Sequence, residues 1–277
     1  METDEVTYFD PSATYSAAAL DYDYASCHYW AGSAERAVEL ADLGPGMTVL
    51  DAGCGAGAAT IPAAFRVRPG GHVVAVDFSP EMLALATHRA SRFSLHNIEW
   101  RLEDMRAYRP PPAQFDAVLC VLALYCVEDM IGLAAALWQL VRPGGRLVVV
   151  TPGRELLSPL YDLFYAAARR ARPGLILPRP WRRIDTHKAL AAVLGQTGAA
   201  HATITEERVV VPLRAPDDWW RIVRGSGLYR AADLLGPEAA RVQAENLRAI
   251  AEDNIRSLSS CYLYAVAEKK LATDTDG

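Results

Sequence analysis

The sequence predicts an α/β fold: a mostly parallel sheet of seven strands with helices on both faces. Three observations predict it. Between Met47 and Thr151, short apolar runs alternate with helical segments, the order that builds a parallel sheet. Those runs are continuously apolar, as in strands covered on both sides. Glycines recur at Gly53, Gly55 and Gly57, directly after the first run, where open α/β sheets place a ligand-binding loop.

The elements follow in order. TVLDAG is the first strand, and a helix spans Gly57 to Phe65, with Pro62 close to its first turn. RPGGHVVAVDF is a turn and the second strand. Ser79-Pro80-Glu81 starts the next helix, because Ser caps, Pro suits the first helical position and Glu favours the positive end. That helix runs to about Ala90; NIEWRLEDM and FDAVLCVLA are the third and fourth strands. A helix from about Met130 to Val141 ends at RPGG, and RLVVVTPG is the fifth strand. Glu155 to Arg170 reads as a helix, Arg172 to Arg182 as a proline-rich loop, and Asp185 to Gln196 as a helix. HATITEERVVVPL is a strand, Pro212 to Ser259 is mostly helical, and CYLYAVAEKK alternates cleanly and closes the fold as an edge-pairing strand.

The formal net charge is -5, with no Lys/Arg-dense run, so a nucleic-acid partner is not expected. The five cysteines form no C-x-x-C pair, so neither a metal site nor a disulfide framework is expected. Reduced thiols point to the cytoplasm. METDEVTYFD is acidic and lacks the apolar core of a secretory signal. VLCVLALYCV is the most apolar stretch, too short to span a membrane.

The loop itself poses an electrostatic question. Gly53, Gly55 and Ala58 satisfy G-x-G-x-x-G/A, and Asp77 stands where a ribose-binding acid sits. Asp51 conflicts with a pyrophosphate, since like charges repel strongly in a low dielectric. A cationic ligand removes the conflict. S-adenosylmethionine carries a sulfonium, an amino group and a ribose, and no phosphate.

D-A-G-C-G-A-G, Asp51 to Gly57, resembles the D-x-G-x-G-x-G signature of class I S-adenosylmethionine-dependent methyltransferases. VVAVDFSPEML resembles the ribose motif of that family, EDM (Glu103 to Met105) its adenine motif, and FDAVLC and LVRPGGRLVVV its fourth- and fifth-strand motifs. The matches run in order across about half the chain. Tyr15 and Tyr22 in YSAAALDYD are similar to the Y-x-x-x-A-x-x-Y-D pattern of the ubiquinone/menaquinone-type small-molecule branch. The resemblance implies a Rossmann-like sheet with its last strand antiparallel, and helical insertions that form a lid. It implies one methyltransferase domain over 1–277: an N-terminal helical cap at 1–45, a cofactor-binding core at 46–152, lid insertions at 153–184 and 212–259, and a closing strand at 260–270. It implies S-adenosyl-L-methionine held by Tyr15, Tyr22, Asp51, Gly53, Gly55, Asp77, Phe78, Met82, Asp104, Met105, Cys120 and Val121.

Methyl transfer from a sulfonium rests on alignment in a closed, water-poor site. A base is needed only where the acceptor must lose a proton. His28 in DYDYASCHYW is the candidate base, because histidine titrates near neutrality, and Tyr24 is the second catalytic candidate beside it. The aromatic residues of the insertions, Tyr161, Phe164, Tyr165, Trp181, Trp219, Trp220 and Tyr229, predict a small, largely apolar or aromatic acceptor, indole-like or quinone-like, as in secondary metabolism. A homodimer would form through the N-terminal helices or the insertions. The competing readings are a nicotinamide oxidoreductase using the same loop and a non-catalytic binding module.

Overall fold

The structure is a computed structural model that describes residues 10–25 and 29–271; of residues 23–25 it describes the backbone only. Two helices, α1 (Pro11–Ala25) and α2 (Ala31–Leu40), precede the sheet. Then follow β1 (Thr48–Ala52), α3 (Thr60–Arg66), β2 (His72–Asp77), α4 (Pro80–Ser91), β3 (Ile98–Leu102), β4 (Phe115–Val121), α5 (Met130–Leu140) and β5 (Val141–Pro152). The remainder is α6 (Leu160–Ala171), α7 (His187–Leu194), β6 (Thr203–Pro212), α8 (Asp218–Arg224), α9 (Tyr229–Leu235), α10 (Ala239–Glu252) and β7 (Ser257–Glu268).

The seven strands lie in the order β3-β2-β1-β4-β5-β7-β6. The pairs from β3 to β5 are parallel, and β7 runs antiparallel to both β5 and β6. Strand residues alternate between two cores. Leu50, Val74, Val118 and Leu147 pack with α5, α6, α7 and α10 on one face. Val49, Val73, Leu119 and Val148 pack with α2 and α3 on the other. Both faces are therefore covered, which explains the continuous apolar runs. Ser79 caps α4, its hydroxyl accepting from the Met82 N–H at 3.2 Å.

Two expectations about individual elements change. The last strand is not at the edge: Leu263 and Ala265 enter one core while Tyr262 and Tyr264 enter the other, so β7 is an interior strand. The edge on this side is β6, where Glu206, Glu207 and Arg208 lie in the middle of the strand, charges that discourage further strand pairing. The helix expected from Glu155 starts only at Leu160. Its first residues instead extend alongside β7: Ser158 and Ser259 exchange backbone hydrogen bonds at 2.8 and 3.0 Å, and the Cys261 N–H donates to the Glu155 carbonyl. Pro159, with no N–H to give, marks the change to helix.

Candidate functional site

The order reverses at β1: the chain winds outward to β2 and β3 on one side and to β4 and β5 on the other. This is the switch point at which open sheets bind ligands beyond their carboxyl ends. A cavity of about 1220 Å³, its open mouth included, lies there. Its floor is the glycine loop. Gly53 has φ 76°, and a Cβ on it would stand 2.6 Å from the Ala123 Cβ. Only glycine meets both demands.

Two carboxylates serve this floor. Asp51, at the end of β1, is 1% exposed and accepts the Thr60 hydroxyl at 2.5 Å. Burial pushes its carboxyl up to about 7, against the Thr60 hydrogen bond; the charge of Asp77 adds to the rise. Asp77, at the end of β2, accepts the Gly55 N–H on Oδ2 at 2.8 Å and the Ser79 N–H on Oδ1 at 2.9 Å. Burial raises its carboxyl too, and these backbone donors oppose the rise. The carboxylate thus ties the glycine loop to the head of α4.

Helix α1 lies over the loop. Tyr15 and Tyr22 fall on one face of it, with rings edge to face at 6.2 Å. The Tyr22 hydroxyl stands 3.5 Å from where a Gly55 Cβ would be. The end of α8 holds the helix down: a Cβ on Gly225 would lie 2.4 Å from the Asp21 carbonyl oxygen, and Arg224 pairs with Asp21 at 3.0 Å. Beyond Gly225, the turn at Ser226, Gly227 and Leu228 lines the cavity.

The structure brings Tyr15, Tyr22, Asp51, Gly53, Gly55, Asp77, Phe78, Met82, Met105 and Val121 onto the cavity wall. Two expected cofactor residues are elsewhere. The carboxylate of Asp104 is held on both oxygens by the Arg106 guanidinium, which keeps it below the usual carboxylate range, and it does not line the cavity. Cys120 is wholly buried in the core beside Leu50 and Leu147, and burial drives its thiol far up. As strand residues alternate, the wall position falls to its neighbour Val121. His28 lies outside the described residues, as does the side chain of Tyr24. Among the described residues, no group of three or more His, Cys, Asp or Glu side chains could hold a metal ion. No helix among them is long and apolar enough to cross a membrane.

The insertion aromatics divide differently than expected. Trp181 lines the cavity. Tyr161, Phe164 and Tyr165 instead form the buried stripe of α6, and the Trp219 indole N–H donates to Asn246 at 2.7 Å, fastening α8 to α10. Trp220 and Tyr229 are half-buried away from the wall. Aromatic residues at helical spacing serve the core first.

Sequence reasoning missed the segment after β4. Leu122 takes φ 55°, a costly angle for a side chain of its size, and the chain turns there so that Ala123, Tyr125 and Cys126 reach the wall. Arg183 braces this turn, donating to the Tyr125 and Val127 carbonyls at 2.7 and 2.6 Å. Its neighbour Trp181 packs edge to face on Tyr125, with centroids 6.4 Å apart. The available signal was position alone, at the carboxyl end of a strand beside the switch point.

A family model described as a methyltransferase domain matches residues 49–145, from β1 into β5. A ubiquinone biosynthesis O-methyltransferase of Methylocella silvestris is 38% identical over 187 residues, covering 66% of this chain and 68% of that protein. The chain belongs to the class I S-adenosylmethionine-dependent methyltransferase family. Within the family, a nocamycin O-methyltransferase of Saccharothrix syringae is 32% identical over 63% of this chain and 61% of its own length. The chain thus spans less than two thirds of that relative. A solved structure of a methyltransferase from an antibiotic biosynthesis pathway of Anabaena variabilis shares the fold, with a TM-score of 0.61 and 16% identity over 84% of this chain and 96% of that one. The nicotinamide oxidoreductase reading finds no support among these relatives.

Proposed function

We propose that this member of the family transfers a methyl group from S-adenosylmethionine to a small, largely apolar or aromatic metabolite. One observation carries the reading. A single cavity joins the buried carboxylates of the glycine loop to an apolar chamber under the lid, and no Lys, Arg or His side chain among the described residues lines it. A diphosphate would meet Asp51 and Asp77 with no cation to offset them. A positively charged ligand instead supplies the partner that a carboxyl pushed up to about 7 lacks.

The residues present fit that cofactor. Asp77 keeps lone pairs beyond its two backbone bonds for a ribose hydroxyl, Phe78, Met82 and Met105 offer apolar surface for a nucleoside, and Asp51 favours the cationic end. When bound, S-adenosylmethionine supplies an electrophilic methyl group. The protein holds the acceptor in line and excludes water, with α1 and the turn at Ser226 closing over the chamber. His28 keeps its proposed role as the base, with Tyr24 beside it. The two relatives named for O-methylation favour an oxygen acceptor. The proposal extends to a cytoplasmic enzyme with reduced thiols that dimerises through its N-terminal helices or its insertions, which sedimentation would read.

The direct test has two parts. S-adenosylhomocysteine, and not NAD or NADP, should raise the melting temperature, because a ligand bound only to the folded state stabilises it. Labelled methyl should then pass to aromatic hydroxy compounds, such as hydroquinones and hydroxyindoles. Transfer confined to protein or RNA would defeat the reading.

A further inference from the structure

Among the described residues, six that are not glycine take a positive φ. Four of them, Asp42, Ser94, Ala113 and Asn254, carry short side chains and are exposed. The other two are leucines, Leu122 at φ 55° and Leu157 at φ 49°, and both line the cavity. A left-handed backbone crowds the Cβ of an L-residue, and a bulky side chain is out of place there. Such strain persists only where the surroundings impose it.

The surroundings do so here. The Leu122 N–H donates to the Val150 carbonyl of β5 at 2.9 Å. The Leu157 N–H donates to the Ser260 hydroxyl of β7 at 2.9 Å, and the Leu157 carbonyl accepts from the Tyr161 N–H at 3.1 Å where α6 begins. A turn by itself does not ask for leucine. Glycine makes the same angle without strain, as Gly53 and Gly55 do at φ 76° and 52° on the floor of the same cavity. What leucine adds at 122 and 157 is a side chain on the wall. Ala123, next to Leu122, lies against Gly53, so Leu122 stands on the cofactor side of the chamber. Leu157 is 1% exposed and stands with Leu156 on the stretch that extends alongside β7.

We propose that Leu122 and Leu157 set the upper size limit of the acceptor, narrowing the chamber from beyond the ends of the neighbouring strands β4 and β5 so that small ring systems enter and extended ones do not. The inference rests on the apolar-acceptor reading above and adds a size limit to it. The cavity of about 1220 Å³, its mouth included, must hold cofactor and acceptor together, where a single ligand commonly takes about 300–1,000 Å³. Two leucine side chains are therefore a material share of the room left for the acceptor. A role in core packing alone makes a different prediction: trimming either leucine would weaken every acceptor alike.

The test uses the full chain loaded with S-adenosylhomocysteine and two probes, 2-naphthol and 1-hydroxypyrene, which share a phenolic hydroxyl and differ in the size of the ring system. Bound probe is read by its own fluorescence in equilibrium dialysis. The wild type should bind 2-naphthol at least about tenfold more tightly, the scale of forcing surplus carbon into a packed site. Leu122→Gly and Leu157→Gly keep the turn and remove the side chain. Each should cut that preference by about tenfold, with 1-hydroxypyrene gaining. In a variant that still binds S-adenosylhomocysteine, a ratio unchanged from the wild type is the mark of core packing and overturns the inference. Equal binding of the two probes to the wild type also overturns it and leaves the apolar-acceptor reading standing. Binding of neither probe, with S-adenosylhomocysteine bound, overturns both readings. If one glycine variant fails to fold, the other variant and the wild-type comparison decide the matter.

Discussion

Asp51→Asn should stabilise the ligand-free protein and weaken its hold on a cationic cofactor. The carboxyl of Asp51 titrates near 7 in the fold against 3.8 ordinarily. Between these values the folded state binds a proton that the unfolded state has released, so the stability contributed falls as pH rises through that window and is level above it. Each tenfold step in proton affinity is worth about 1.4 kcal/mol, so the ionised group costs the fold at most about 4 kcal/mol. Of that, about 2 kcal/mol accrues above about pH 5.5. Asparagine carries no charge and still offers Thr60 an oxygen. Urea unfolding of both proteins, ligand-free, at about pH 5.5 and about pH 8.5 reads the difference. The gain from Asp51→Asn should be larger at the higher pH by about 2 kcal/mol. In calorimetry at the higher pH, S-adenosylmethionine should lose about tenfold in affinity to the variant, and S-adenosylhomocysteine less, because only the former carries the sulfonium. A pH-independent gain, or equal losses for the two ligands, would refute the reasoning.

Four further substitutions probe the frame around the site. Gly225→Ala places a methyl 2.4 Å from the Asp21 carbonyl oxygen, so α1 must shift; overpacking costs about 1–3 kcal/mol, to be seen as a lower melting temperature and weaker S-adenosylhomocysteine binding. Arg183→Met removes charged donors to the Tyr125 and Val127 carbonyls, worth about 1.5–3 kcal/mol; steady-state kinetics should show a raised acceptor KM, with S-adenosylhomocysteine affinity unchanged by calorimetry. Asn246→Leu strands the Trp219 N–H and should cost about 1–3 kcal/mol in urea unfolding. Asp104→Ala removes a half-exposed partner of Arg106 and should change S-adenosylhomocysteine affinity by less than about threefold; a large loss would show that this carboxylate leaves Arg106 to meet the cofactor.

The cofactor end of the cavity was legible in the sequence because its parts lie on consecutive strands. Asp51, Gly53 and Asp77 sit at strand ends whose order follows from alternation alone, and the strands bring them together without any knowledge of side-chain packing. Cys120 and Val121 show the limit of that reasoning. The pleat sends one into the core and the other to the wall, and an apolar run covered on both faces gives no phase to tell them apart. Asp104 shows another limit, since an acid two residues before an arginine can be claimed by it locally.

The acceptor end was far less legible. Tyr15, Tyr125, Trp181 and Gly227 come from four separated segments, and no local pattern marks them as neighbours. The aromatic residues that looked like pocket, such as Phe164 and Trp219, obey helical periodicity because they fill the core. The sequence by itself determined the sheet, the glycine loop and the negative character of its floor, since these depend on backbone conformation and on residues close in the chain. The tertiary structure alone decided which strand took the edge beyond β7 and which aromatic rings reached the cavity. Those outcomes depend on how distant segments pack at close range, and close packing across long separations leaves no periodic trace in the order of residues.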